Sequence, residues 1–173
     1  MGAHATSAEM RTLLLALLVT APLSAQTVTG GIGVAGWGSS TEMLSLGGTA
    51  TAPVAGWTVG VHGAYSEEIV LSSVWQDYQA TGALLAGRSE RDGVFEWSML
   101  AGPSLTRALR QPNVSPARPS EPSYELGAIV RLGGTVTPLP AVPVGLSLDL
   151  GVNAAAGGVT TTVVPGLALR LGR

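Results

Sequence analysis

The sequence of 173 residues has a net charge of −2 and contains no cysteine. Its 9 basic residues are all arginines and do not outnumber the 11 acidic residues, which excludes the basic surface of a nucleic-acid-binding protein. The lack of cysteine excludes disulfides, thiolate metal sites and a lipoprotein attachment site.

Hydropathy is high, yet no segment is long enough for a membrane-spanning helix. Hydrophobic residues make up 46% of the chain and charged residues only 12%. The longest apolar run, residues 13–19, is far shorter than the roughly 20 residues that such a helix needs. The 24 glycines and 11 prolines also disfavour helices. This combination is typical of a chain that crosses a membrane with alternating strands.

Residues 10–25 have the three parts of a secretion signal peptide, namely a positive charge, a short apolar core and a small-residue ending. We expect cleavage after Ala25, so that residues 1–25 form a signal-peptide helix and residues 26–173 form the mature domain. The first nine residues contain no lysine or arginine, which favours Met10 as the true start.

Most segments of the mature chain alternate apolar and polar residues with a period of two, the pattern of strands with one apolar face. In the clearest segment, one face carries Val144, Leu146, Leu148, Leu150 and Val152, and the other carries Gly145, Ser147, Asp149, Gly151 and Asn153. The weakest is the fourth, where Leu84 and Leu85 fall on opposite faces. We predict eight strands, at about residues 27–37, 44–52, 57–66, 78–88, 94 onward, 124–136, 143–153 and 159–172.

The connections alternate in length, as outer-membrane barrels require. The short ones are residues 53–56, 89–93 and 138–142, and the longer ones are 38–43, 67–77, 109–123 and 154–158. The sequence therefore predicts an all-β, eight-stranded, antiparallel up-and-down transmembrane barrel. Pro103 and Pro165 fall inside strands, and each predicts a bulge or a level outside the hydrocarbon.

Aromatic residues are predicted to form two belts, one at each end of the barrel. Amphipathic rings prefer the membrane–water interface, and these residues fall where predicted strands meet their connections. The belt residues are Trp37, Tyr65, Tyr78 and Tyr124 beside the longer loops, and Trp57, Phe95 and Trp97 just after the short turns.

In this pattern of strands and loops the mature chain, residues 26–173, resembles the small eight-stranded OmpA/OmpX-like outer-membrane β-barrel proteins. The resemblance implies an outer-membrane location in a Gram-negative-type bacterium. It also implies lipid, insertion machinery and periplasmic chaperones as partners, and a structural, adhesive or protective role at the cell surface. Proteins of this kind usually end on an aromatic residue, whereas this chain ends on Arg173.

The residues predicted to face the lumen include one histidine and five charged residues. They are His62, Glu96, Glu125, Arg131, Asp149 and Arg170. An eight-stranded barrel is just wide enough for its own side chains, so we expect ion pairs that fill the lumen rather than a conduit. In particular, we predict that Glu96 pairs with Arg131 across the fifth and sixth strands.

The surroundings of His62 resemble those in outer-membrane lipid A deacylases, which carry a His-x-Ser arrangement on the lipid-facing side. Here Ala64 stands where that serine is needed, and Ser66 lies about 13 Å further along the strand. A catalytic base needs its nucleophile within hydrogen-bond reach. We therefore expect no enzyme, and neither glycine spacing nor carboxylate spacing predicts a cofactor or metal site.

The leading hypothesis is a non-enzymatic outer-membrane barrel that meets a surface ligand through loops 67–77 and 109–123. A narrow porin-like channel is the first alternative, and a lipid-modifying enzyme is the second. No nucleic-acid partner is expected.

Overall fold

The computed structural model describes residues 27–37, 41–68, 77–109, 121–139 and 142–171. The predicted signal peptide, and most of the two long predicted loops, lie outside these residues. Within the described ranges, no helix is long and apolar enough to cross a membrane.

Eight antiparallel strands follow one another round a closed barrel, which confirms the predicted all-β architecture. Each strand pairs with the next, and β1 pairs with β8. Both edges of every strand are thereby hydrogen-bonded, as a membrane requires. The strands are β1 (Thr27–Trp37), β2 (Thr41–Val54), β3 (Trp57–Glu68), β4 (Tyr78–Asp92), β5 (Phe95–Leu109), β6 (Ser123–Val136), β7 (Val144–Ala155) and β8 (Gly158–Arg170).

The two ends of the barrel differ in their connections. The turn end holds the β2–β3, β4–β5 and β6–β7 connections together with the start of β1 and the end of β8. The loop end holds the other four connections. At the turn end Gly56 and Gly93 have φ angles of 80° and 57°, a left-handed conformation that glycine adopts without steric cost.

β2 and β4 exceed their predicted lengths the most. β2 begins at Thr41 instead of residue 44, and β4 continues to Asp92 instead of residue 88. The polar end of β4 has the composition of a turn, but Ser89 pairs with Ser98 and Asp92 with Phe95. The hairpin therefore continues beyond the apolar part of the strand, where polar residues can stay exposed.

Pro103 and Pro165 do not create bulges, so that alternative of the sequence prediction is wrong. Pro103 pairs with Ala128, and Pro165 with Leu148, without an inserted residue. On its other side each proline interrupts the pairing, which then resumes in the same register. A Cβ atom at Gly102, next to Pro103, would overlap the Leu84 carbonyl oxygen, so glycine is needed where the backbones approach.

The paired residues climb toward the loop end in chain order. Following the pairs from Thr27 on β1 through all eight strands leads back to β1 at Trp37, not at Thr27. This stagger is the shear that a closed barrel of tilted strands requires. A residue on β7 therefore lies nearer the loop end than its registered partners on β5 or β4.

The alternation of faces follows the sequence pattern. On β7 the even-numbered residues from Val144 to Val152 are exposed on the outside, and the odd-numbered residues from Gly145 to Asn153 are buried inside. The outer surface carries large apolar side chains, whereas the interior carries many buried threonines and serines. An apolar exterior and a polar interior invert the usual distribution of a soluble protein.

Candidate functional site

One arginine crosses the barrel interior. Arg131 on β6 is only 4% exposed, and its Nη2 lies 3.0 Å from Oδ1 of Asp149 on β7. Its Nη1 contacts Oγ1 of Thr49 on β2 and Nδ1 of His62 on β3. Thr29 on β1 donates to the other oxygen of Asp149 at 3.0 Å. A single guanidinium group thus connects the walls of the barrel, and its charge is balanced by a carboxylate.

His62 is held by the same network. Its Nδ1 lies 3.2 Å from Oγ1 of Thr49 and 2.9 Å from the carbonyl oxygen of Gly48. Ser66, the nearest serine on β3, instead donates to Ser45 at 3.0 Å. The structure therefore places His62 inside the barrel without bringing Ser66 to it.

A second ion pair lies near the turn end. Nη2 of Arg170 on β8 lies 2.7 Å from Oε2 of Glu96 on β5, and these side chains are 17% and 18% exposed. Thr27 donates to the other oxygen of Glu96 at 3.4 Å. The pair is partly exposed at the turn end of the interior.

The predicted pairing of Glu96 with Arg131 is wrong. Arg131 lies opposite Leu100, which is about 13 Å along β5 from Glu96 at the usual rise per residue. Arg131 pairs with Asp149, and Glu96 reaches Arg170. The prediction considered only adjacent strands, whereas long side chains in a narrow barrel reach the opposite wall.

Glu125 joins neither ion pair and lies at the loop end. It is 8% exposed and accepts hydrogen bonds at 3.1 Å from Ser123 Oγ and from the backbone N–H of Gly157. It therefore ties β6 to the β7–β8 connection.

An apolar cluster lies on the inner faces of β4, β5 and β6, and sequence reasoning missed it. It consists of Ala83, Leu85, Leu100 and Ile129, each at most 9% exposed. The one available signal was the break in alternation at Leu84 and Leu85, since Leu84 is 66% exposed and Leu85 only 4%. Leu100 is the registered partner of Arg131, so the cluster lies beside the Arg131 network, and a second polar region lies nearer the loop end.

This second region is filled by uncharged hydrogen-bonding groups. Asn153 accepts from Ser104 at 2.6 Å and donates to Thr106 at 3.0 Å. Thr106 also lies 3.0 Å from Thr81, and all four residues are buried. Their mutual hydrogen bonds satisfy the polar groups that the barrel buries here.

Inside the barrel a cavity of about 30 Å³ remains, lined by Arg131, Asp149, Glu96 and several threonines. A water molecule needs about 10–15 Å³ by this measure, so the cavity has room for one or two waters. Its size excludes a hydrated ion.

At the turn end, the structure places the predicted aromatic residues Trp57, Phe95 and Trp97 on the outer surface, 52%, 60% and 49% exposed. Arg88, which sequence reasoning did not single out, stacks over the Trp57 ring at 4.7 Å and donates to the Gly56 carbonyl oxygen at 2.5 Å. Aromatic and cationic groups thus lie together on this outer rim.

At the loop end, Tyr65 stacks on Tyr78 at 6.2 Å, and Tyr124 is 67% exposed. Arg107, also missed from the sequence, lies 5.9 Å from both the Tyr78 and the Tyr124 rings. The signal was an arginine at an outward position of a strand close to these tyrosines. Trp37 pairs through its backbone with Thr41, and its side chain lies outside the described residues.

The described residues contain no group of three His, Asp or Glu side chains that could hold a metal ion. The charged side chains inside the barrel are engaged with one another and with threonine and serine hydroxyls. This arrangement is suited to filling and bracing a barrel.

The described geometry defines the class of the protein: it has the fold of the small eight-stranded OmpA/OmpX-like outer-membrane β-barrels. Neisserial surface protein A (NspA) superimposes with a TM-score of 0.61 at 12% sequence identity, over 83% of this chain and 94% of that one. Ail, the attachment invasion locus protein of Yersinia pestis, superimposes with a TM-score of 0.58 at 13% sequence identity, over 83% of this chain and 95% of that one. A structure of Ail in complex with the heparin analogue sucrose octasulfate superimposes with a TM-score of 0.56 at 14% sequence identity, over 83% of this chain and 95% of that one.

No protein-family model and no curated protein sequence matches the chain. The likeness to NspA and Ail is therefore one of fold.

Proposed function

We propose that the protein is a non-enzymatic outer-membrane barrel, exported with a signal peptide that is cleaved after Ala25, with a structural, adhesive or protective role at the cell surface. The observation that carries this proposal is the inverted distribution of side chains. Leucines and valines cover the outside of the barrel, and charges and hydroxyls fill the inside.

Lipid of the outer membrane is the first proposed partner. The rings at the two ends of the barrel, among them Tyr124 and Trp97, suit the two membrane interfaces. Arg107, only 7% exposed, contacts the Tyr78 and Tyr124 rings of the loop-end belt. Insertion machinery and periplasmic chaperones are further proposed partners, because a closed barrel with an apolar exterior cannot cross the periplasm unprotected.

The filled interior argues against the porin-like alternative. Apolar side chains fill the interior near Leu85 and Leu100, and the cavity beside Leu100 has room for only one or two waters. We expect single-channel recordings in planar bilayers to show no reproducible conductance. A reproducible open state would favour the channel.

The position of His62 argues against a lipid-modifying enzyme. An enzyme that acts on membrane lipid needs its catalytic groups on the surface that lipid reaches, but His62 contacts Thr49 and Arg131 inside the barrel. We expect hydrolysis of outer-membrane lipid to be undetectable. An activity that disappears in His62→Ala would contradict this.

The proposed surface partner meets the loop end, through residues 67–77 and 109–123. The sulfated ligand in the Ail complex is not expected to transfer to this chain. On this rim Glu68 lies opposite Met43, beside Glu42, and its N–H donates to the Asp77 carbonyl oxygen at 2.9 Å. Glu42 and Glu68 place carboxylates on this part of the rim, which repel a polyanion and suit a partner with a basic surface.

Membrane fractionation combined with proteolysis of intact cells tests the proposal. The protein should fractionate with the outer membrane, and added protease should cut it only within the loop-end connections. Recovery in the soluble fraction without detergent would contradict the proposed location. N-terminal sequencing of the exported protein should begin at Gln26.

A further inference from the structure

An apolar groove opens on the outer surface near the turn end. Its volume is about 480 Å³, within the range of about 300–1,000 Å³ that ligand sites occupy. Two rows of outward side chains form it. One row consists of Phe95, Val136 and Leu146. In the other row, Trp97 and Leu148 lie on either side of Gly134.

Gly134 makes the floor of this groove. A Cβ atom built at Gly134 would meet only the Leu148 carbonyl oxygen, at 4.0 Å. The glycine is therefore not required by a close backbone approach or by its φ angle. Its effect is to leave a space between Trp97 and Leu148 that any larger side chain would fill.

Two opposite charges flank the Trp97 side of the groove. Glu90 on β4 is the registered partner of Trp97, and registered side chains on one face have Cβ atoms about 4.5–5.5 Å apart. Arg88 lies two positions away on the same face, over the Trp57 ring. Both Arg88 and Glu90 are exposed.

The stagger of the strands orients this arrangement. Because paired residues climb toward the loop end in chain order, the row from Glu90 through Trp97 and Gly134 to Leu148 rises from the turn end toward the middle of the barrel. The charged pair thus lies at the rim, and the groove leads from it into the apolar band.

In outer-membrane barrels the short turns face the periplasm, so the groove would lie in the inner leaflet. We propose that this groove, together with Arg88 and Glu90, binds one zwitterionic phospholipid of that leaflet. Its headgroup carries a primary ammonium, as in phosphatidylethanolamine. One acyl chain lies in the groove over Gly134. The phosphate faces Arg88 and the ammonium faces Glu90, as charge-assisted hydrogen bonds favour. The inference rests on the proposed membrane location.

Charge complementarity selects this occupant among the common phospholipids. The quaternary ammonium of phosphatidylcholine has no N–H to donate to Glu90. An anionic headgroup without an amine leaves Glu90 facing a phosphate of like charge. Of these three headgroups, only the zwitterion with a primary ammonium satisfies both side chains.

The test is retention of lipid by the full-length mature barrel. The protein is reconstituted in phosphatidylcholine vesicles that contain a minor fraction of phosphatidylethanolamine, released into mild detergent, and analysed by native mass spectrometry. We expect one phosphatidylethanolamine to be retained in preference to the more abundant phosphatidylcholine. Equal retention of the two lipids in proportion to their abundance would overturn the inference.

Variants separate the groove from the charges. Gly134→Leu should lose the retained lipid, whereas the matched control Gly82→Leu should keep it. Gly82 also faces outward, a Cβ atom there meets nothing within 4 Å, and it lies toward the loop end of β4, away from the groove. The double variant Arg88→Gln with Glu90→Gln should retain lipid but lose the preference for phosphatidylethanolamine.

Each further outcome has a distinct meaning. Undiminished phosphatidylethanolamine on Gly134→Leu, or an unchanged preference in the double variant, would overturn the site while leaving the membrane location intact. Failure of the unmodified barrel to float with vesicles would overturn the proposed location and the site with it.

Discussion

The outer and inner faces of the barrel are built by different kinds of interaction. The outer face follows one local pattern, an apolar side chain at every second residue. Leu146, Leu148 and Leu150 fit this pattern within their own strand, independently of the other strands. The inner face depends on closure, because Arg131 on β6 reaches side chains on β2, β3 and β7. A change on the outer face should therefore act through depth in the membrane, and a change inside should act through the partner that it leaves behind.

The largest expected effect is inside the barrel, at Arg131. Arg131→Met leaves the Asp149 carboxylate buried without its counter-charge, and we expect a loss of about 3–5 kcal/mol in the free energy of unfolding. The measurement is urea unfolding in detergent or lipid. Adding Asp149→Asn should restore part of the loss, and strictly additive effects of the two substitutions would contradict the bracing role.

On the outer face, Leu148→Arg should cost about 2–4 kcal/mol, because Leu148 lies in the middle of its apolar strand. Val144→Arg, on the same face near the turn end, should cost only about 0–1 kcal/mol. Unfolding in lipid vesicles measures both. An equal cost at the two positions would show that the cost does not depend on depth, which would contradict the placement of this face in a membrane.

The register of this face has its own control. Ser147→Arg changes the neighbour of Leu148 but points inward, where the cost arises from overpacking, about 1–3 kcal/mol. Its effect should not change with the thickness of the bilayer, whereas that of Leu148→Arg should. The opposite result would mean that the two faces are exchanged.

A smaller effect is expected for the pair near the turn end. Glu96 and Arg170 are partly exposed, so their coupling should be about 1 kcal/mol. A double-mutant cycle with Glu96→Gln and Arg170→Met measures it. The parallel cycle of Glu96→Gln with Arg131→Met should show no coupling, and a coupling there would restore the pairing that the structure contradicts.

The difference between the two faces also explains what the sequence could predict. Alternation is local, so the strands and the inward positions of His62, Glu125 and Asp149 follow from it. Partners inside the barrel depend on the shear of the closed sheet, which places Arg170 near Glu96 although they lie on β8 and β5. No local pattern contains that information.

The apolar cluster and the outward arginines were missed for a related reason. Leu85 and Ile129 interrupt a polar face. A single apolar residue at an inward position has no evident role in the sequence until the folded barrel brings the strands together. Arg88 and Arg107 interrupt the apolar face near its ends, where aromatic rings surround them. Their meaning comes from their level along the barrel, which strand length alone determines poorly, as the extension of β4 shows.

The central claim is that the outer face meets lipid and the inner face is closed to both lipid and bulk water. The chain has no native cysteine, so single cysteines at residues 144–153 can each carry a nitroxide spin label in reconstituted bilayers. Electron paramagnetic resonance then measures collisions with lipid-soluble oxygen and with a water-soluble nickel complex. We predict that labels at Leu146, Leu148 and Leu150 collide with oxygen, and that labels at Ser147 and Asp149 collide with neither reagent. Nickel collisions at Ser147 and Asp149 would indicate a water-filled pore. Nickel collisions at Leu148 would place the outer face in water. Either result would contradict the account.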